Sequence, residues 1–350
     1  MHTETSQSFI MRFTKKDILK LEEHITKANK ITVITHYNPD GDALGSSVAL
    51  YHYLKTLNKD CLCLIPNPYP SNLEFVLEDT DFIIAEKSFK NAKQRLLQTD
   101  LLFLVDMNNN SRCGDNLEKV LNELSCTKIL IDHHLKPDAF ALNFSYPESS
   151  ATCEVLYNIL KRLTKRKVFS EKISKALYLG LITDTGSLSY SNDNPEIYSI
   201  ISNLLKSGLK ASKLHQKIFD TYSVSRLRLL GYAISHKMKV FSKERAAFIS
   251  LSKEELKRYN YQTGDLEGVV NYSLKLAGVD FCALLSERDD KIRMSFRSKD
   301  PSIDVNLFAR KFWNGGGHVM ASGGKSYEKL SEVERKLTAQ IKNKSFLNND

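Results

Sequence analysis

Three short apolar runs in this chain each end on acidic or histidine side chains. Residues 31–35 (ITVIT) lead into His36, Asn38, Pro39, Asp40, Gly41 and Asp42; Leu101–Val105 leads into Asp106; residues 129–131 (ILI) lead into Asp132, His133 and His134. Such short, nearly all apolar or β-branched runs are the pattern of strands buried on both faces. Segments with helical spacing lie between them, at 14–29 (Ile18, Leu21 and Ile25 on one side), 43–57, 88–98 and 115–124, and 61–65 (CLCLI) reads as a further strand. Alternating buried strands and helices predict an α/β, doubly wound parallel sheet. The carboxyl ends of the strands in such a sheet line one crevice, where ligands bind. The terminal Asp and His residues are therefore expected to converge.

Helical patterns dominate from 152 to about 235, and the pattern changes after Lys239. Ala246–Leu251 and 279–287 read as strands. Residues 291–297 alternate strictly, with Ile292, Met294 and Phe296 on one face and Arg293, Ser295 and Arg297 on the other. The length of 350 residues suits two modest domains. The expected division is 1–194 as a catalytic metal-binding domain, 195–239 as a helical linker, and 240–350 as a smaller α+β domain with a mixed sheet. The opening MHTETSQSFIMRFTKK reads as a disordered lead, with Met11 as an alternative start, and lacks the basic-then-apolar order of a secretory signal. The last residues, IKNKSFLNND, read as a frayed tail. With no run of 18 apolar residues, no membrane span is expected, and the expected location is the cytoplasm. Cys61, Cys63, Cys113, Cys126, Cys153 and Cys282 form no CxxC pair and read as reduced, mostly buried thiols.

One strand-terminal Asp ordinarily caps a helix or a turn. Four carboxylates and three histidines at three strand ends strain that reading. Two carboxylates about 4 Å apart repel by roughly 4 kcal/mol at an effective dielectric of about 20, so the cluster needs protons or cations. Hard divalent ions suit mixed carboxylate and imidazole donors, with manganese the natural choice and magnesium or cobalt as alternatives. The absence of cysteine argues against structural zinc. Asp184 is a fifth candidate, because it follows the apolar LGLIT and opposes the dipole of the helix it ends. The net charge of +9, from 50 Lys and Arg against 41 Asp and Glu, favours polyanionic partners. The basic run at 161–167 (KRLTKRK) reads as a solvated helix end.

These residues resemble the DHH phosphoesterase superfamily. The resemblance rests on Asp132-His133-His134 together with His36-x-Asn38-Pro39-Asp40-Gly41-Asp42-Ala43-x-Gly45-Ser46, on Asp106 and on Asp184. Gly315-Gly316-Gly317-His318, followed by Ala321-Ser322-Gly323 and preceded by Ser295-Phe296-Arg297-Ser298, is similar to the DHHA1 domain. The resemblance covers about 14–342 and points to the NrnA type, oligoribonucleases (nanoRNases) that also act on 3′-phosphoadenosine 5′-phosphate (pAp). It implies a hydrolase of phosphoric esters with two divalent ions: His36, Asp40 and Asp106 for one, and Asp42, Asp106, His133 and Asp184 for the other, with Asp106 bridging. It also implies that Asp132 orients a histidine, that His134 faces the scissile phosphate, and that an activated water attacks phosphorus. Leu188 departs from the Phe usual in that family.

Within the second domain, N–H groups of Gly315, Gly316 and Gly317 at an expected helix start would cradle an anion. His318, Arg297 and Ser298 would add donors. A pocket gripping a terminal phosphate at a fixed distance from the metals would act as a ruler for short RNA, dinucleotides and pAp. Arg293 and Asn271 are further candidates for substrate contact. The competing enzyme reading is a cyclic-dinucleotide or linear-dinucleotide phosphodiesterase in second-messenger turnover, and the non-enzyme reading is a nucleotide sensor lacking a ligand. No stable protein partner is evident, and a homodimer is compatible with the sequence.

Overall fold

The computed structural model describes residues 13–189 and 193–347. The expected N-terminal lead with Met11 and the last residues of the tail lie outside that range. The chain divides into two compact units, Met1–Thr221 and Tyr222–Asp350. Among the described residues no helix is long and apolar enough to cross a membrane.

The first unit is built on β1 (Lys30–Ile34), β2 (Asp60–Ile65), β3 (Phe82–Ile84), β4 (Leu101–Val105), β5 (Thr127–Asp132) and β6 (Leu142–Ser145), in the order β3-β2-β1-β4-β5-β6. Every pairing is parallel. Helices α1 (Lys15–Lys27), α2 (Gly41–Thr56), α3 (Phe89–Leu97), α4 (Asp115–Glu123), α5 (Thr152–Thr164), α6 (Glu171–Asp184), α7 (Pro195–Leu205) and α8 (Ala211–Phe219) accompany it. Two apolar clusters flank the sheet. One holds Val33, Phe103 and Ile131; the other holds Ile34, Leu104 and Leu130. Side chains alternate between the faces, so strands buried on both sides carry no polar stripe. That is why 101–105 reads LLFLV. The chain reverses its direction of progress between β1 and β4, and this switch point is where an open parallel sheet leaves a crevice.

Helix α2 is buried along nearly its whole length. It lies close against α6 because both carry glycine at the contact. A Cβ at Gly45 would come within 2.5 Å of the Ala176 carbonyl, and one at Gly180 within 2.4 Å of an Asp42 carboxylate oxygen. The glycines thus set the backbone approach that brings the end of α6, at Asp184, to the start of α2.

The second unit has α9 (Val224–Tyr232), β7 (Met238–Phe241), β8 (Ala246–Leu251), α10 (Lys253–Arg258), α11 (Val269–Leu274), β9 (Phe281–Glu287), β10 (Ile292–Ser298), α12 (Val305–Phe312), β11 (Gly316–Gly317), β12 (Ala321–Ser326) and α13 (Leu330–Lys342). The strand order is β11-β12-β10-β9-β8-β7, with β8 and β9 parallel and the other pairs antiparallel. The sheet is therefore mixed, as the sequence predicts. Its core joins Phe281, Phe296, Phe308 and Trp313 to Val333, Leu337 and Ile341 of α13. The glycines at 315–317 follow α12, and Gly316 and Gly317 form an edge strand. They do not begin a helix, and the expected N-terminal anion cradle is absent at that position.

Candidate functional site

The chain leaves β1 through His36 and a left-handed Asn38 (φ 57°) and enters α2 at Asp40. Asp40 is the N-cap of α2. Its Oδ1 accepts from the N–H groups of Asp42 (3.0 Å) and Ala43 (3.1 Å), while its Oδ2 stands 3.8 Å from His36 Nε2. The capping role expected of a lone Asp thus uses one oxygen and directs the other toward His36. Asp106, just past β4, is left-handed as well (φ 57°). That conformation costs a non-glycine residue energy and persists where the surroundings fix it. Here Oδ2 lies 3.3 Å from His36 Nε2, Oδ1 accepts from Thr152 Oγ1 at 3.0 Å, and the same Oδ1 is 3.7 Å from both His133 Nε2 and His134 Nδ1.

Asp42 is fully buried. Its two oxygens accept from the first N–H groups of α5, Thr152 (2.6 Å) and Cys153 (3.0 Å), which places an anion on a helix N-terminus. His133 Nε2 is 3.9 Å from Asp42 Oδ2 and 3.3 Å from Asp184 Oδ2, and its Nδ1 meets the Ser149 carbonyl at 3.1 Å. Asp132 holds His134 twice, accepting from its backbone N–H at 3.0 Å and pairing with its Nδ1 at 2.7 Å. Among the described residues of the first unit, three groups result, each offering ligand atoms within 4.8 Å of one another: His36, Asp40 and Asp106; Asp42, His133 and Asp184; Asp106, Asp132 and His134.

The electrostatics show a cluster short of positive charge. Burial, reinforced by the Asp106 carboxylate, pushes Asp42 up to about 7 despite its two N–H donors. Burial opposes the charge on Asp106 too, but the imidazoles of His36, His134 and His133 hold this carboxyl well below the usual range. His36 and His133 would be pushed down by burial, yet the neighbouring carboxylates, Asp106 above all, outweigh it and raise both. His134 is lowered, first by burial and then by the Arg112 charge. Buried carboxylates that compete for the same imidazoles fit a divalent cation, and oxygen with imidazole nitrogen is the donor set of manganese, magnesium or zinc centres rather than of sulfur-liganded sites.

Several participants escape a motif reading. Thr152 bonds Asp106 through its hydroxyl and Asp42 through its N–H, and Ser149 fixes His133 through a carbonyl. The polar SSAT at 149–152 opening a helical segment was the available signal. Arg112, six residues past Asp106, is the other.

In the second unit Arg297 pairs in register with Cys282 and Ala321, and a tight turn ties Ala321 to His318 by hydrogen bonds of 2.8 and 3.3 Å. These contacts bring Arg297 and His318 to neighbouring positions. Arg293 lies on the same face, and Asn271 sits on α11, half-buried. Ser298 does not join them: it alternates onto the buried face with Phe296 and Met294, and its hydroxyl has no partner among the described residues. Gly315 N–H donates to the Ala309 carbonyl (3.2 Å) and Gly317 N–H to Asn306 Oδ1 (3.0 Å), so both donors serve the fold. A Cβ at Gly315 would come within 1.9 Å of the Gly323 carbonyl. Close strand packing therefore accounts for Gly315 and for Gly317, where a Cβ would come within 2.7 Å of the Ala321 carbonyl.

Residues 30–181 match the DHH family, N-terminal domain, and residues 246–343 match the DHHA1 domain. The chain is 34% identical to an exopolyphosphatase-related protein of Bacteroides fragilis, whose crystal structure superposes with a TM-score of 0.89 over 96% of this chain and 98% of that one. It is 26% identical over 318 residues to the bifunctional oligoribonuclease and PAP phosphatase NrnA of Bacillus subtilis, covering 89% of this chain and 94% of the relative. The NrnA of Thermus thermophilus is 26% identical over 329 residues, covering 91% and 93%.

Proposed function

We propose, from the premise that this chain belongs to the DHH phosphoesterase family and carries a DHHA1 domain, that it is a divalent-metal hydrolase of short oligoribonucleotides and dinucleotides that also dephosphorylates pAp. The carrying observation is Asp106, whose two oxygens face two separate ligand groups. The related NrnA proteins, matched over nearly their whole length, supply the substrate class. In this reading 1–194 perform the chemistry, 195–239 connect, and 240–350 hold substrate phosphate through Arg297 and His318, in the cytoplasm and without an obligate protein partner.

His36, Asp40 and Asp106 would hold one cation, and Asp42, Asp106, His133 and Asp184 the other, manganese being the best fit. When bound, the ions lower the pKa of water and offset charge on phosphoryl oxygens. The protein's own part is positional. Asp132 fixes the ring of His134 through Nδ1, which assigns proton transfer to Nε2. His134, which burial disposes toward its neutral form, would take up at Nε2 the proton released by the attacking water and pass it to the leaving oxygen. Thr152 and the α5 N-terminus keep Asp106 and Asp42 from rotating away.

The test is product analysis with manganese present, using RNAs of graded length, pAp and cyclic dinucleotides. Two- to four-nucleotide RNAs and pAp are expected to turn over fastest per end. Faster turnover of long strands, or of cyclic dinucleotides alone, would overturn the assignment.

A further inference from the structure

Beside the metal loop lies a cation that neither the metal assignment nor the proton-transfer pair uses. Arg112 lies in a short 3-10 turn, Asn110–Cys113, that follows Asp106. Its backbone is pinned to the metal loop, because the Arg112 carbonyl accepts from the N–H of Tyr37 at 2.6 Å, next to His36. Gly114, left-handed at φ 91°, lets the chain pass against the Tyr37 ring, which a Cβ there would approach to 3.0 Å. The arginine is half-buried, and among the described residues its guanidinium makes no hydrogen bond or ion pair. The turn that carries it therefore stands between the Asp106 end of β4 and the His36 loop. A half-buried arginine held beside an acidic cluster without an internal partner is unusual, since burial penalises an unpaired charge.

Charge balance gives it a task. Five carboxylates gather at the strand ends and at Asp184. Two divalent ions would leave that set one negative charge in excess, before an anionic phosphate arrives and before its transition state gains a further charge. We infer that Arg112 is a phosphate-contacting catalytic residue, whose guanidinium binds the non-bridging oxygens of the scissile phosphoryl group and strengthens its hold as charge develops. A planar guanidinium suits two phosphoryl oxygens at once, and no proton leaves it. This inference rests on the phosphoesterase reading above.

The experiment compares Arg112→Met and Arg112→Lys with the unaltered protein in three measurements. These are the manganese dissociation constant by calorimetry, the inhibition constant of orthovanadate against an artificial phosphodiester, and kcat/KM on that diester. For Arg112→Met, manganese binding is expected to be unchanged or tighter, by up to about tenfold, because a nearby positive charge has gone. Vanadate should bind roughly 10- to 100-fold more weakly, and kcat/KM should fall about 10²- to 10³-fold. Arg112→Lys should recover part of the vanadate loss. Unchanged vanadate inhibition and kcat/KM would overturn the inference. So would a parallel loss of manganese affinity, which marks a structural role. If the protein cleaves the artificial diester but not short RNA, the substrate reading fails while the role of Arg112 is still decided by these three measurements.

Discussion

The two units handle charge in opposite ways. The first gathers carboxylates at three strand ends and buries most of them: Asp42, Asp106 and Asp132 are all nearly inaccessible. The second sets Arg297 on the inner strand β10 and His318 just after the edge strand β11, both half exposed, near glycines spent on packing. A buried acidic cluster cannot remain uncompensated, because each anion away from water raises the energy of the next. It therefore implies its cations and, with them, chemistry. A half-exposed basic pair implies nothing so strong, since water already solvates it. The first unit should accordingly govern whether the reaction occurs, and the second how tightly a substrate is held.

The largest effect should come from Asp106→Asn. Asparagine tolerates the left-handed backbone at this position and can still accept from Thr152, so the fold should survive. What it loses is the charge shared by the two ligand groups. Metal-dependent hydrolysis is expected to drop by about 10³-fold or more, with the melting temperature of the metal-free protein little changed. Near-normal activity would break the contrast between the units at its root.

A smaller effect, of another kind, is expected from His318→Ala. KM for dinucleotides carrying a terminal phosphate should rise roughly 10- to 100-fold, as for loss of one charge-assisted contact, with kcat largely kept. An artificial phosphodiester without a terminal phosphate should be almost unaffected. Equal losses on both substrates would move His318 from holding substrate to the chemistry, and the division between the units would blur.

What could be read from the sequence follows the same contrast. The strands ending at Asp106 and Asp132 were legible because burial on both faces leaves an unbroken apolar run, and their acidic ends stand out against it. Phe82–Ile84 and Leu142–Ser145, at the two edges of the parallel sheet, were not legible, since edge strands are short and half solvated. Thr152 was missed because its part in the site is a hydroxyl and a backbone N–H delivered by a helix start, and no residue-type pattern marks that. The glycines at 315–317 misled for a related reason. Glycine signals close approach or unusual φ without saying which partner comes close, and here the neighbouring strand comes close to Gly315 and Gly317.

That correction can be tested at small amplitude with two neighbouring substitutions. Gly317 sits at φ 151°, and an added Cβ would come within 2.7 Å of the Ala321 carbonyl, whereas at Gly316 the nearest atom, Asn306 Oδ1, is 3.4 Å away. Gly317→Ala is expected to destabilise the protein by about 1–3 kcal/mol through strain and overpacking. Gly316→Ala should stay within about 0.5 kcal/mol, the usual range for a tolerated surface change. Both can be measured by denaturant unfolding. If the glycines instead served an anion by close backbone approach, Gly316→Ala would leave stability intact and raise KM for phosphorylated dinucleotides as much as His318→Ala does. A stability loss confined to Gly317→Ala, with KM unchanged in Gly316→Ala, assigns the run to the architecture of the sheet edge and leaves substrate phosphate to the side chains of Arg297 and His318.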